Sequence, residues 1–201
     1  MIHRRLKPSR IPWGGGVRGE AGKSLGAKPV LHYPFLCGGP VAARREWARV
    51  DDRYWMGEAL AEARHAGELG DVPIGAVVVR GGEILGRGHN RREADGDPLA
   101  HAELLAIREA SLQIEGWRLS GCTLYATLEP CPMCAGALVA CRIDRLVYGA
   151  ADPKAGFCGS LGNLVQDPRL NHRLEILAGV MAAESSALLR SFFVALRPGR
   201  E

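Results

Sequence analysis

Two short motifs constrain this chain more than any other feature: His101-Ala102-Glu103 and Pro130-Cys131-Pro132-Met133-Cys134. Each stands at the start of a predicted helix, and Pro132 occupies a first-turn position that needs no backbone N–H. Cys131 and Cys134 are three residues apart, so both face one side of the first helical turn. A fold that uses the two motifs together must therefore bring two helix N-termini to one point.

The donor set of these motifs is one imidazole and two thiolates, which is what a catalytic zinc takes when its fourth position is left open for water. Either motif alone is a weak signal, but together they are specific. Zinc lowers the pKa of bound water from about 15.7 toward about 7, so hydroxide becomes available at neutral pH. We expect one zinc ion per subunit, held by His101, Cys131 and Cys134, with Glu103 as the catalytic residue that carries protons.

A fourth protein ligand would close the site, and the candidates for it are Cys122, Cys141, Cys158 and His172. Cys122 is predicted at the far end of a strand from Pro130, and Cys141 lies about two helical turns beyond Cys134, roughly 10 Å along the axis. We therefore expect three protein ligands. The other cysteines, including Cys37, are interpreted as small buried apolar residues or incidental thiols.

Composition limits the class of protein. A chain of 201 residues with a hydrophobic fraction of 47% can build one ordinary domain with a real core. It has no apolar run long enough for a membrane span and no signal-peptide pattern. A metal site is favoured over a disulfide framework, which indicates a reducing compartment. We expect a cytoplasmic protein that makes no membrane contact.

The charge is uneven along the chain. Residues 1–50 contain ten Lys or Arg against two Glu, whereas residues 51–201 contain sixteen against twenty acidic residues. Glycine and proline also interrupt every periodicity in the first segment, so we expect 1–50 to be a disordered basic extension and 51–201 to be the domain. Three interpretations of the extension stay open: an RNA-binding arm, a transit-like leader, or sequence upstream of a true start at Val50 or Met56, which we favour.

Beyond residue 50, helical and strand patterns alternate. Helices are predicted over 54–67, 101–111, 132–141 and 181–196, and strands over 74–80, 83–88, 122–128, 145–150 and 174–177. Asp97 followed by Pro98 is interpreted as the cap of the second helix. This alternation predicts an α/β sandwich with a mixed sheet.

The motifs and their surroundings resemble the bacterial tRNA-specific adenosine deaminase family, within the cytidine deaminase-like superfamily. The resemblance covers nearly all of 51–201 and is carried by 54–56, 72–77, 89–91, 97–103, 128–134, 152–161, 171–173 and 191–193. The zinc motifs fit the whole superfamily, whereas residues 152–161 and 171–193 narrow the match to the tRNA-specific family. The resemblance implies a three-layer α/β/α sandwich whose five-stranded mixed sheet is flanked by helices. It also implies hydrolytic conversion of adenosine to inosine at the wobble base of an arginine tRNA.

The same resemblance implies partners and substrate contacts. The expected partners are a tRNA anticodon loop, where bases can be splayed out and extruded, and a second subunit in a homodimer. The resemblance implies that Asn90 contacts the flipped nucleoside. It also implies that Val72 and Ile74 form a wall against the base and that Lys154 lies along the path of the RNA. Arg190 could meet RNA at a helix end, whereas the aromatic pair Phe192 and Phe193 is expected to pack in the core.

Two other functions remain open at this stage. One is a zinc deaminase that acts on a free base or nucleoside such as cytosine, cytidine or guanine. The other is a catalytically silent RNA-binding module with structural zinc. Glu103 speaks against the second, because a silent module needs no proton carrier.

Overall fold

The computed structural model describes residues 51–196. The predictions about segment 1–50 and Cys37 lie outside this range. The helices are α1 (Asp52–Glu68), α2 (Arg92–Asp95), α3 (Ala102–Gln113), α4 (Pro132–Ala140) and α5 (Ala182–Ala195), with a 3-10 turn at Leu164–Gln166. The strands are β1 (Gly75–Arg80), β2 (Glu83–His89), β3 (Thr123–Leu128), β4 (Arg145–Ala150) and β5 (Glu175–Ala178).

The five strands form one mixed sheet in the order β2-β1-β3-β4-β5. Strand β1 is antiparallel to both of its neighbours, whereas β3, β4 and β5 run parallel. Gly75 pairs with His89, and Leu128 pairs with Ala150, so these residues mark one end of the sheet. We call it the site end, because α3 and α4 both begin there. The expected five-stranded mixed sheet is confirmed.

Alternating side chains of the central strands build two cores, as a period of two requires. Ala76 and Val78 of β1 belong to the core under α3 and α4. Val77 and Val79 belong to the core that contains Met56 of α1. Helix α5 contributes to this second core as well, so the sheet lies between two helical layers. Each fully buried Leu or Met in these cores contributes about 1.5–3 kcal/mol.

Helix α3 lies unusually close to the edge strand β2, because β2 presents glycine to it. A Cβ built on Gly88 would lie 2.7 Å from the Ala106 nitrogen and would also overlap the Ala102 carbonyl oxygen. A Cβ on Gly86 would lie 2.6 Å from the Ala110 nitrogen. The backbone of α3 therefore packs directly against the backbone of β2. This contact sets the distance between the sheet and the helix that begins after His101.

An ion pair fastens the start of α1 to the sheet. The Arg145 guanidinium donates to both carboxylate oxygens of Asp52, over 2.7 and 3.0 Å, and the Tyr125 hydroxyl donates to the same carboxylate over 2.9 Å. Burial acts to raise the pKa of Asp52, but the hydrogen bonds from Arg145 and Tyr125 outweigh it, so its pKa lies below the ordinary value. The carboxylate therefore stays ionised and holds the helix against β3 and β4.

Two details of the local structure differ from the sequence expectation. The cap of α3 is His101 and not Asp97, and His101 makes no side-chain capping bond. Asp97 instead accepts a hydrogen bond from the Leu99 nitrogen in the preceding turn. The short helix α2 was also not expected, because four residues carry no periodicity. Within 51–196, no helix is both long and apolar enough to cross a membrane.

Candidate active site

The three expected metal donors meet at the site end of the sheet. His101 caps α3, Cys131 caps α4, and Cys134 lies in the first turn of α4. Their donor atoms all lie within 4.8 Å of one another, with Cys134 Sγ 3.5 Å and Cys131 Sγ 3.7 Å from His101 Nδ1. Two helix starts therefore converge on one point, as the motifs require.

These distances fit a tetrahedral zinc ion. Zn–S bonds of about 2.3 Å and Zn–N bonds of about 2.0–2.1 Å put nitrogen and sulfur donors about 3.5 Å apart. Hydrogen bonding with Cys134 and His101 lowers the pKa of Cys131 to about 3, so its sulfur is a thiolate at neutral pH, the form that binds metal. As the donor in that pair, Cys134 has a raised pKa.

No other His, Cys, Asp or Glu among residues 51–196 joins the group. Cys141 caps the far end of α4 and contacts the Leu138 oxygen, and Cys158 contacts the Pro130 oxygen over 3.9 Å. His172 lies 2.6 Å from the Ile143 oxygen. Cys122 directly precedes β3, at the end opposite the donors. The expectation of three protein donors thus agrees with the described geometry.

Glu103 lies in the first turn of α3 and is 4% exposed. It lines a cavity of about 170 Å³ together with His101 and Cys131. Burial raises the pKa of the Glu103 carboxyl, although the nearby His101 opposes the shift. A buried carboxyl beside a metal-binding group can take up and release a proton at a pH where an exposed glutamate stays ionised.

This small cavity adjoins a larger one of about 680 Å³, since Asn90, Arg92 and His101 line both. We call the two together the cleft. Its volume is in the range of small-molecule sites. All four residues expected to contact substrate line it: Val72, Ile74, Asn90 and Lys154.

The outer wall of the cleft includes residues of α5. Phe193 is 46% exposed and, with Leu189 and Arg190, lines the larger cavity. The expectation that Phe193 packs in the core is therefore wrong: it lies near the end of α5, where the helix borders the cleft. Its edge-to-face contact with Phe192, 5.5 Å between ring centroids, holds the ring at that position.

Glu129 organises another part of the wall. Its buried carboxylate accepts hydrogen bonds from the backbone nitrogens of Asp152, Cys158 and Ser160, over 2.9 to 3.0 Å, and from the Ser160 hydroxyl. Burial acts to raise the pKa of Glu129, but the bonds from Ser160 and the backbone lower it overall. One carboxylate thus fixes the loop that carries Lys154.

Asp71 plays a similar part beneath Asn90. It is 1% exposed, and its carboxylate accepts hydrogen bonds from Asn90 Nδ2 and from the backbone of α2. Sequence reasoning missed Asp71, Glu129 and Arg92. Glu129 directly precedes the second motif, two residues before Cys131, and that position was its only visible signal.

Comparison with known proteins places the chain among deaminases. The family model of MafB19-like deaminases matches residues 50–197. The tRNA-specific adenosine deaminase of Bacillus subtilis strain 168 is 52% identical over 148 residues, which cover 74% of this chain and 92% of that protein.

Solved structures of deaminases are also similar to this chain. A structure from a study of A-to-I editing by tRNA:A34 deaminases at the wobble position is 44% identical, with a TM-score of 0.65, over 68% of this chain and 99% of that one. The guanine deaminase of Nitrosomonas europaea is 25% identical, with a TM-score of 0.62, over 72% of this chain and 85% of that one.

Proposed function

This chain belongs to the tRNA-specific adenosine deaminases, and from that membership we propose that it converts adenosine to inosine by hydrolysis at the wobble position of a tRNA anticodon. Arginine tRNA is the proposed substrate. The guanine deaminase relative is much less similar than the tRNA deaminases, so a free base is the weaker candidate.

One observation carries the proposal: a buried acid lies beside a three-donor metal group at the floor of a cleft. His101, Cys131 and Cys134 would hold the zinc, and Glu103 lines the same cavity. When bound, zinc supplies a hydroxide nucleophile at neutral pH by lowering the pKa of water. A structural zinc site takes a fourth protein ligand, which the described residues do not offer.

The proton chemistry is assigned to Glu103. Its carboxylate takes the proton of the attacking water and delivers it to a ring nitrogen of the base. It then takes the remaining proton of that water from the hydroxyl now bonded to the base and delivers it to the departing amine. At C6 of the base a C–O bond forms and a C–N bond breaks, so adenosine and water give inosine and ammonia. The raised pKa of the buried Glu103 suits it to hold the proton between the two transfers.

The cleft offers the contacts that a single-stranded anticodon needs. Arg92, Lys154 and Arg190 line it, and none of them forms an ion pair with another of residues 51–196. Three such cations can meet backbone phosphates, and the half-exposed Phe193 ring offers a surface on which a base can stack. Val72 and Ile74 supply apolar walls for the extruded base.

We further propose that the protein is a cytoplasmic homodimer in which both subunits build each RNA site. Leu99, two residues before His101, and Leu161, in the loop held by Glu129, are both more than half exposed. Apolar residues there suit a subunit interface. Replacement of Leu161 by Asp should give a monomer by analytical ultracentrifugation; a wild-type monomer would contradict the proposal.

The test of function is incubation of the purified, zinc-loaded protein with an arginine tRNA transcript, followed by sequencing for an adenosine-to-inosine change at the wobble base. Free adenosine, cytidine, cytosine and guanine are assayed in parallel. Activity on the free compounds alone would favour the nucleoside or base deaminase. No conversion of any substrate would favour the silent RNA-binding module.

The variant Glu103→Gln separates catalysis from binding. It should keep zinc content and tRNA affinity while turnover falls by about 10²- to 10⁴-fold, the contribution of a general acid and base. Glu109→Gln is the matched control, because Glu109 lies exposed on the same helix and contacts only the Arg87 nitrogen. Unchanged turnover in Glu103→Gln would refute the assigned role.

A further inference from the structure

Asp71 is a buried carboxylate that the proposed chemistry does not use. Its Oδ1 accepts from Asn90 Nδ2 over 2.9 Å and from the Glu93 nitrogen over 3.3 Å, and its Oδ2 accepts from the Ala94 nitrogen over 3.0 Å. Within 51–196 it forms no ion pair with Arg or Lys. Three N–H donors therefore satisfy its charge.

An ionised carboxylate can only accept hydrogen bonds, so it dictates how the Asn90 amide is turned. The NH2 group must face Asp71, and the carbonyl oxygen must face the other way. Asn90 lines both parts of the cleft, and no described residue donates a hydrogen bond to its Oδ1. The contact with Asp71 uses one N–H of the NH2 group, so the oxygen that Asn90 turns toward the cleft is a free acceptor.

We propose that Asp71 is a positioning residue that locks the Asn90 amide with its oxygen toward the cleft, where it accepts a hydrogen bond from a hydroxyl or N–H group of the substrate nucleotide. The proposal rests on the proposed function for its substrate. The orientation of the amide follows from the contacts of Asp71 alone.

The same carboxylate fixes a second part of the wall. By accepting from the backbone nitrogens of Glu93 and Ala94, Asp71 anchors the first turn of α2. Arg92 begins that helix and lines the cleft. Asp71 therefore holds two cleft residues at once, the amide of Asn90 and the guanidinium of Arg92.

Substitution of Asp71 by Asn replaces one carboxylate oxygen with an NH2 group, which is a hydrogen-bond donor, without changing the size of the side chain. If that NH2 faced Ala94, two donors would oppose each other at the start of α2. When it turns instead toward Asn90, it opposes only the longer contact, that of the Glu93 nitrogen at 3.3 Å, and the Asn90 amide flips to present its oxygen. Asp71→Asn then leaves a donor in the cleft where the native protein has an acceptor.

The reverse substitution offers a rescue. In Asn90→Asp alone, two carboxylates meet where Asp71 and Asn90 lie 2.9 Å apart, which destabilises the protein. In the double variant Asp71→Asn/Asn90→Asp, the new amide donates to the new carboxylate. The second oxygen of that carboxylate again faces the cleft as an acceptor.

The experiment measures kcat and KM on an anticodon stem-loop RNA, zinc content and thermal unfolding for both single variants and the double variant. Asp71→Asn should raise KM about tenfold, with kcat within about threefold, because it removes a binding contact. The double variant should recover at least threefold in KM and unfold at a higher temperature than either single variant.

Asp144→Asn is the matched control, because exposed Asp144 accepts from the Gly121 nitrogen at the opposite end of the sheet. A merely structural role of Asp71 would lower zinc content and kcat and leave KM unchanged. That result, or a double variant no better than the worse single variant, would overturn the proposal.

A stem-loop with 2′-deoxyadenosine at the edited position identifies the donor. If the ribose hydroxyl donates to Asn90, the effect of Asp71→Asn on KM disappears with this substrate. If an N–H group donates, the effect persists. Should the wild-type protein fail to deaminate RNA, the proposed function fails, whereas the unfolding cycle still tests the Asp71–Asn90 pair.

Discussion

Replacing Gly88 by Ala should disturb the metal centre from the opposite side of helix α3. The added Cβ would lie 2.7 Å from the Ala106 nitrogen, whereas uncompressed contacts of this kind need about 3.5 Å. The helix must therefore retreat by at least about 0.8 Å, and further to clear the Ala102 carbonyl oxygen, since backbone on both sides leaves no flexible group to yield. His101 and Glu103 move with it, while Cys131 and Cys134 stay on α4.

A shift of this size exceeds the roughly 0.5 Å within which a catalytic arrangement must be held. We expect a fall in kcat/KM of about 10- to 100-fold, weaker zinc binding, and a loss of about 1–3 kcal/mol in the free energy of unfolding from overpacking. Zinc affinity is measured by competition with a chromogenic chelator, and stability by urea unfolding.

Gly57→Ala is the control for this experiment. Gly57 lies within α1, and a Cβ there would meet nothing within 4 Å. Alanine in a helix interior should stabilise the protein by about 0.5–1 kcal/mol and leave zinc affinity unchanged. If Gly88→Ala bound zinc and unfolded like the wild type, the close contact of α3 with β2 would not be what sets the position of His101.

Further predictions follow from contacts described above. Because the pKa of Asp52 is depressed in the folded state, its stabilisation is present above about pH 4 and is lost as the pH falls through the folded pKa, so Asp52→Asn should flatten the acid side of a urea-unfolding profile. A profile of unchanged slope would argue against this ion pair. Arg145→Met should cost about 1–3 kcal/mol in unfolding free energy, since the pair is only partly exposed. Glu129→Gln should speed hydrogen exchange across 152–160 and raise KM, and protection equal to the wild type would count against its hold on the loop. Removal of metal by a chelator should abolish turnover and lower the unfolding temperature, with Zn²⁺ restoring both; activity that survives chelation would contradict a metal centre. Deletion of residues 1–49 should leave zinc content and turnover nearly intact, whereas a large loss of tRNA affinity would support a basic RNA-binding arm.

Local patterns in the sequence were enough to predict the main strands and helices and their arrangement in a mixed sheet. Strand β4, Arg145–Ala150, has the predicted bounds, because its side chains are almost all buried and read as a continuous apolar run. The candidate metal donors were also visible, since Cys131 and Cys134 are neighbours on the first turn of α4 and His101 opens the preceding predicted helix, α3.

Residues whose partners are distant in the chain could not be predicted. Asp71 contacts Asn90 and the backbone of α2 across 19 to 23 positions, and Glu129 contacts its loop across 23 to 31. No residue close in sequence to either carboxylate indicates that it is buried. Only the folded sheet, which brings the end of β3 beside that loop, gives them a role.

Two errors had local causes. Asp97 followed by Pro98 has the composition of a helix cap, but the side chain closes a turn ahead of His101. Phe193 is of a residue type common in cores, but it lies exposed in the last turn of α5, where the helix borders the cleft. In both cases the interpretation follows the usual behaviour of the residue type, but the residue behaves differently at this position.

The metal donors fall between residues 101 and 134, whereas the walls of the cleft are drawn from residues 72 to 193. Closing a short loop costs less entropy than closing a long one, so the ion can be captured while the chain is still folding. The walls require a longer closure, because helix α5 adds Arg190 and Phe193 from the far end of the described chain. We therefore expect folding intermediates that already retain zinc but do not yet recognise RNA.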